Sequence, residues 1–207
     1  AKYHFDYRHF EEATSLYEQA LELDKNNIIA LMNMAILFSE KNNFEEAEIL
    51  IKRTLSIQAN DANALATWAQ ICISAKKYET AEEILIKAIS LYPEMVVLHI
   101  NQALVYLRTN RLEQALENYN RILQINNEVK MAKVAKAYVL TQLNRFDDAL
   151  REYDNILKVG ADDDILYKKS MVELQMGYFH TGWGNHEARL NLEKYIYYTP
   201  ASETMGN

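Results

Sequence analysis

Three side chains able to hydrogen-bond in both directions recur at one spacing: Asn33, Thr67 and Asn101 stand 34 residues apart. An amide donates and accepts at once, and a hydroxyl does the same, so such a row can grip an extended peptide backbone without reading its side chains. That is binding chemistry, and the groups of reactive chemistry are arranged otherwise. His4, His9, His99, His180 and His186 have neither i, i+4 spacing nor cysteine partners, and no HExxH run occurs, so no metal site is expected. The acidic runs Asp147-Asp148, Glu82-Glu83 and Asp162 to Asp164 fall on second-helix starts or inter-unit joints, where carboxylates suit the positive helix end and are expected as caps and solvent face rather than acid–base groups. No glycine-rich phosphate loop is present, and neither catalysis nor a cofactor is expected of this segment. Lys130, Lys133 and Lys136, with Lys168 and Lys169, make one basic patch suited to steering an acidic partner.

The charge balance narrows the partners further. In 207 residues, 22 Lys and Arg face 29 Asp and Glu, a formal charge of −7, which disfavours nucleic acid and anionic membranes as ligands. Cys72 is the single cysteine and cannot close an intramolecular disulfide, and with no visible leader this favours the cytoplasm. The most apolar run, Ile28 to Phe38, is short and broken by Asn33, so no membrane span is expected.

The elements that must position these residues are set by a repeat. Small residues recur at Ala13, Ala47, Ala81, Ala115, Ala149 and Gly182, and again at Ala1, Ala35, Ala69, Ala103, Ala137 and Ser170. Large ones precede the first column at Phe10, Phe44, Tyr78, Leu112, Phe146 and Phe179, and a further column runs Ala20, Thr54, Ala88, Ile122, Ile156 and Arg189. Small side chains let helices approach closely while a ring fills the adjacent hole. Within one period, Ile28 to Asp61, an apolar-periodic run to Ser39 meets a polar turn at Lys41-Asn42-Asn43, and a second run extends from Phe44 to Ile57. This is a helical hairpin. Asn42, Lys76, Asn110, Asn144 and Gly177 occupy the turn, and all but Lys76 readily take the left-handed conformation that ends a helix.

These columns resemble the tetratricopeptide repeat, and Tyr17-Glu18-Gln19-Ala20-Leu21-Glu22-Leu23-Asp24 is similar to that family's second-helix consensus. The resemblance implies an all-α, right-handed superhelical solenoid of antiparallel helix pairs, about six repeats in one domain. The expected divisions are a partial repeat at 1–27, repeats at 28–61, 62–95, 96–129 and 130–162, a divergent repeat or cap at 163–192, and a helix end with linker at 193–207. The first unit lacks its opening positions, so the chain reads as a piece of something longer.

The resemblance also allocates faces, the first helix of each pair lining a concave groove. Groove contacts are then expected from Met32, Asn33, Ile36, Thr67, Gln70, Ile100, Asn101, Leu104, Val134 and Tyr138, with Ser39, Asn63, Ala66 and Val97 on the same rows. Asn33, Thr67 and Asn101 look like the asparagine ladder of the repeat domain of O-linked N-acetylglucosamine transferases, a row that Ala135 interrupts. Co-chaperone members grip a C-terminal carboxylate with cations, but Met32 and Ile36 stand where the first clamp pair belongs, which disfavours that ligand. Gly182, Trp183 and Arg189 lie in a last repeat similar to those preceding bacterial glycosyltransferase domains. There a ring lying across a bare glycine backbone would form a cap or domain-docking surface.

The expected function is a non-catalytic protein-interaction scaffold holding an extended or amphipathic peptide in its groove. Two alternatives are the substrate-recruiting arm of a larger bacterial glycosyltransferase and a self-associating assembly scaffold, the groove being filled by another copy or by the aromatic tail Tyr195 to Tyr198.

Overall fold

The computed structural model describes residues 7–192, and all regular structure among them is helical. Ala1, His4, the tail Tyr195 to Tyr198 and the expected linker lie outside the described residues. The chain divides into two compact units, one ending at Arg111 and one beginning at Leu112, a boundary that falls inside the expected repeat 96–129.

The first unit holds α1 (Tyr7–Leu23), α2 (Ile28–Glu40), α3 (Phe44–Ile57), α4 (Ala62–Ser74), α5 (Tyr78–Leu91) and α6 (Val96–Arg108). α2 pairs with α3 and α4 with α5, α1 packs on α2, and α4 touches both α2 and α6. Asn27 and Asp61, one period apart, start α2 and α4 by accepting the N–H groups of Ala30 (3.0 Å) and Ala64 (2.7 Å). Each hairpin turns on a left-handed residue, Asn42 at φ 63° and Lys76 at φ 60°. The following N–H returns to the helix it leaves, Asn43 to Phe38 O at 2.9 Å and Lys77 to Cys72 O at 2.8 Å. Ala35, Ala69, Ala47 and Ala81 are wholly buried, so helix axes close on one another, and Leu65, Leu85, Leu98 and Val105 complete the apolar interior.

The second unit holds α7 (Leu112–Ile125), α8 (Lys130–Gln142), α9 (Phe146–Leu157), α10 (Asp163–Gln175) and α11 (Phe179–His186), each packed on the next, with hairpins α8/α9 and α10/α11. Asn144 (φ 59°) and Gly177 (φ 82°) make its turns. Asp162 caps α10 by accepting from Asp164 and Ile165 N–H, and Lys130 at 2.7 Å holds its carboxyl below the usual carboxylate range. The small columns end in Gly182 and Ser170, both buried, whereas Arg189, expected on a packing column, is exposed.

Candidate functional site

In the first unit a depression of about 440 Å³ lies among α2, α4 and α6. Its centre is a stripe of α4, Asn63, Thr67, Gln70 and Ser74, whose 4, 3, 4 spacing places all four on one helix face. None of the four side chains has a hydrogen-bond partner among the described residues, so their donors and acceptors face outward uncommitted. Ile36 from α2 and Val97 from α6 flank the stripe, 40% and 39% exposed, while buried Ala66 and Ile71 form the apolar floor. Ser39 and Glu40 close the α2 side.

Of the expected groove residues, the depression gathers Ile36, Thr67, Gln70 and Asn101, along with Ser39, Asn63, Ala66 and Val97. Met32 packs instead against the core around Ala35 and Ile51, Leu104 packs against the core around Leu98, and Asn33 and Ile100 are half-buried without lining the depression. Val134 (half-buried) and Tyr138 (49% exposed) belong to the second unit. Of the row Asn33, Thr67, Asn101, the depression is lined by Thr67 and Asn101 and not by Asn33. Asn101 is 5% exposed and its amide donates to Ala66 O at 3.2 Å, tying α6 to α4. Glu40, Ile71 and Ser74 line the depression without being on the expected rows. Glu40 and Ser74 sit 34 residues apart in the last turn of α2 and α4, one place beyond the expected groove rows, and that shared register is the available signal.

The expected basic patch is largely neutralised. Lys130 pairs with Asp162 (2.7 Å), Lys136 with Glu152 (2.7 Å), Lys169 with Asp154 (2.6 Å), and Lys168 with Asp164. Ion pairs also repeat with the period: Glu48 binds Lys77 at 2.8 Å, and 34 residues on Glu82 takes both arms of Arg111 at 2.9 and 2.7 Å. Hydrogen bonds from Lys52, then Lys77, hold the Glu48 carboxyl below its ordinary value. Burial pushes the Cys72 thiol up to about 11. Among the described residues no three His, Cys, Asp or Glu side chains converge as a metal site requires, and no helix is long and apolar enough to cross a membrane.

At the end of the second unit the space a glycine leaves is taken by Leu174 rather than by a ring. A Cβ on Gly182 would meet Leu174 Cδ2 at 2.8 Å and its backbone N at 3.2 Å. Trp183 is 59% exposed and lies edge-on to His186, with ring centroids 5.5 Å apart.

Two tetratricopeptide repeat family models match the sequence, one over residues 4–71 and one over 68–128. The chain belongs to the tetratricopeptide repeat family. Its solved structural relatives include YrrB, described as a tetratricopeptide repeat protein with an unusual peptide-binding site, at TM-score 0.66 and 18% identity over 86% of this chain and 92% of that one. PilF of Pseudomonas aeruginosa superposes at TM-score 0.74 and 22% identity, covering 88% of this chain and 84% of its own. A tetratricopeptide repeat protein of Parabacteroides merdae gives 0.69 and 16%, covering 94% and 74%. At these identities the structures establish the fold. No curated protein matches the chain in sequence. Tetratricopeptide repeats make it a protein-interaction scaffold, of a family whose members are generally non-catalytic.

Proposed function

We propose that this tetratricopeptide repeat protein holds an extended peptide segment of a partner protein in the depression among α2, α4 and α6. The observation that carries the reading is the uncommitted polar stripe Asn63, Thr67, Gln70 and Ser74 between the exposed apolar side chains of Ile36 and Val97. An extended backbone presents N–H and C=O groups that need partners when water is removed, and side-chain amides and hydroxyls supply both kinds. From Asn63 to Ser74 the stripe runs eleven helical steps, roughly 16 Å at 1.5 Å per residue, the length of about five extended residues. Ile36 and Val97 then offer apolar contact to alternate side chains of such a strand. YrrB, a protein of the same fold, carries a peptide-binding site, and this supports the reading without fixing the place of the site here.

An array of blocked peptides with varied sequences tests it. The best binder should protect the outward face of α4 and the last turn of α2 from hydrogen exchange or chemical labelling. An array on which no peptide binds, or protection confined to the second unit, would overturn the assignment.

A further inference from the structure

Two packing columns turn polar on α6 and become cationic in the second unit. At 34-residue spacing Leu31, Leu65 and His99 precede Lys133, and Met34, Trp68 and Gln102 precede Lys136. Leu31 and Leu65 are core residues, and His99 is buried with Nε2 2.8 Å from Pro93 O. Lys133 and Lys136 are half-buried on α8, on the face opposite Met131 and Tyr138. Where the first unit has packed side chains at these columns, the second opens a pocket of about 600 Å³ among α7, α8 and α9.

The pocket's polar groups are unequally matched. Glu152 neutralises Lys136 at 2.7 Å. Lys133 has no hydrogen bond or ion pair among the described residues. Lys133 is half-buried with no carboxylate beside it, at a column position that holds leucine in the first two repeats of the column. Around it stand the side-chain amides of Asn120, Gln124, Asn127 and Asn155, which can all turn N–H donors toward an acceptor. Two lysines against one carboxylate leave the lining one positive charge in excess, in a chain whose formal charge is −7. A pocket of that sign in an acidic protein concentrates anions locally.

We propose that this pocket binds an anionic group, carboxylate or phosphate, with Lys133 as its counter-charge and the surrounding amides as hydrogen-bond donors. The site is separate from the depression in the first unit and does not depend on that reading.

The test uses the full chain, labelled with ¹⁵N and titrated at constant ionic strength with two probes, the blocked dipeptide acetyl-Glu-Glu-amide and inorganic phosphate. Saturable shifts confined to residues around 120–127, 133–136 and 152–155 are expected with at least one probe. Saturation by the dipeptide alone identifies a carboxylate source, and saturation by phosphate alone a phosphate source. Lys133→Met and Lys133→Gln should each weaken that binding tenfold or more, while Lys133→Met melts no lower than the parent. Three results would overturn the proposal: no saturable shift with either probe, binding unchanged in both variants, or a Lys133→Met protein less stable than the parent, which would make Lys133 a structural residue.

Discussion

Asn101 on α6 donates its side-chain amide to the carbonyl of Ala66 on α4, at 3.2 Å and across 35 residues of sequence. Ala66 lies in the middle of α4, so this contact steadies the floor of the depression where the polar stripe is displayed. Asn101→Ala should lower unfolding stability by about 1–2 kcal/mol, the usual effect of losing a buried hydrogen-bond partner. Urea denaturation measures it, and an unchanged midpoint would show that the bond contributes nothing.

Lys76 sits at φ 60° where the corresponding turns use Asn42, Asn110, Asn144 and Gly177. A lysine Cβ crowds the backbone in that conformation, and glycine does not. Lys76→Gly should therefore stabilise the protein by about 0.5–1 kcal/mol even though it removes a side chain and adds chain entropy to the unfolded state. A lower melting temperature would contradict this account of the turn.

Gly182 occupies the column that carries alanine in the preceding repeats, yet a Cβ there would lie 2.8 and 2.9 Å from the side chain of Leu174 and 3.2 Å from its backbone N. Gly182→Ala should loosen α11 from α10 at a cost of about 1–3 kcal/mol, despite alanine's better helix propensity. Hydrogen exchange in α11 reads the effect, and slower exchange would refute it.

Glu48 has its carboxyl lowered by Lys52 and then Lys77, so its contribution to stability is present above the unfolded carboxylate value and is lost as pH falls through the folded one. The stability gap between the parent and Glu48→Gln should be open at neutral pH and should close in the acid range. A gap independent of pH would exclude the ion pairs as its source. Cys72 offers a companion check: buried, with its thiol pushed up to about 11, it should react with a disulfide reagent at pH 8 only after unfolding.

The repeat was legible because it rests on side-chain size and turn conformation, both local properties. Ala47, Ala81, Ala115 and Ala149 are all wholly buried, and even the exceptional Lys76 takes the turn conformation that its position demanded. Side-chain destinations were less legible. An asparagine on a groove row can face solvent or reach a neighbouring carbonyl, and only the approach of α4 to α6 decides that Asn101 does the second. The lysines looked like a patch because they are close in sequence, whereas three of their carboxylate partners, Asp162 for Lys130, Glu152 for Lys136 and Asp154 for Lys169, come from other helices or joints. Lys133 stood in the same run and differs only in what surrounds it.

An extended peptide held on the outward stripe of α4 would draw part of its affinity from Asn63 and Gln70. Gln70 and Asn63 are exposed and have no internal partner, so replacing both by alanine should leave helicity and melting temperature nearly unchanged. The measurement is the affinity of the strongest array peptide for this double variant by isothermal titration calorimetry. Binding at least tenfold weaker than to the parent is expected, about 1.4 kcal/mol or more. Equal affinity in a folded variant would contradict it.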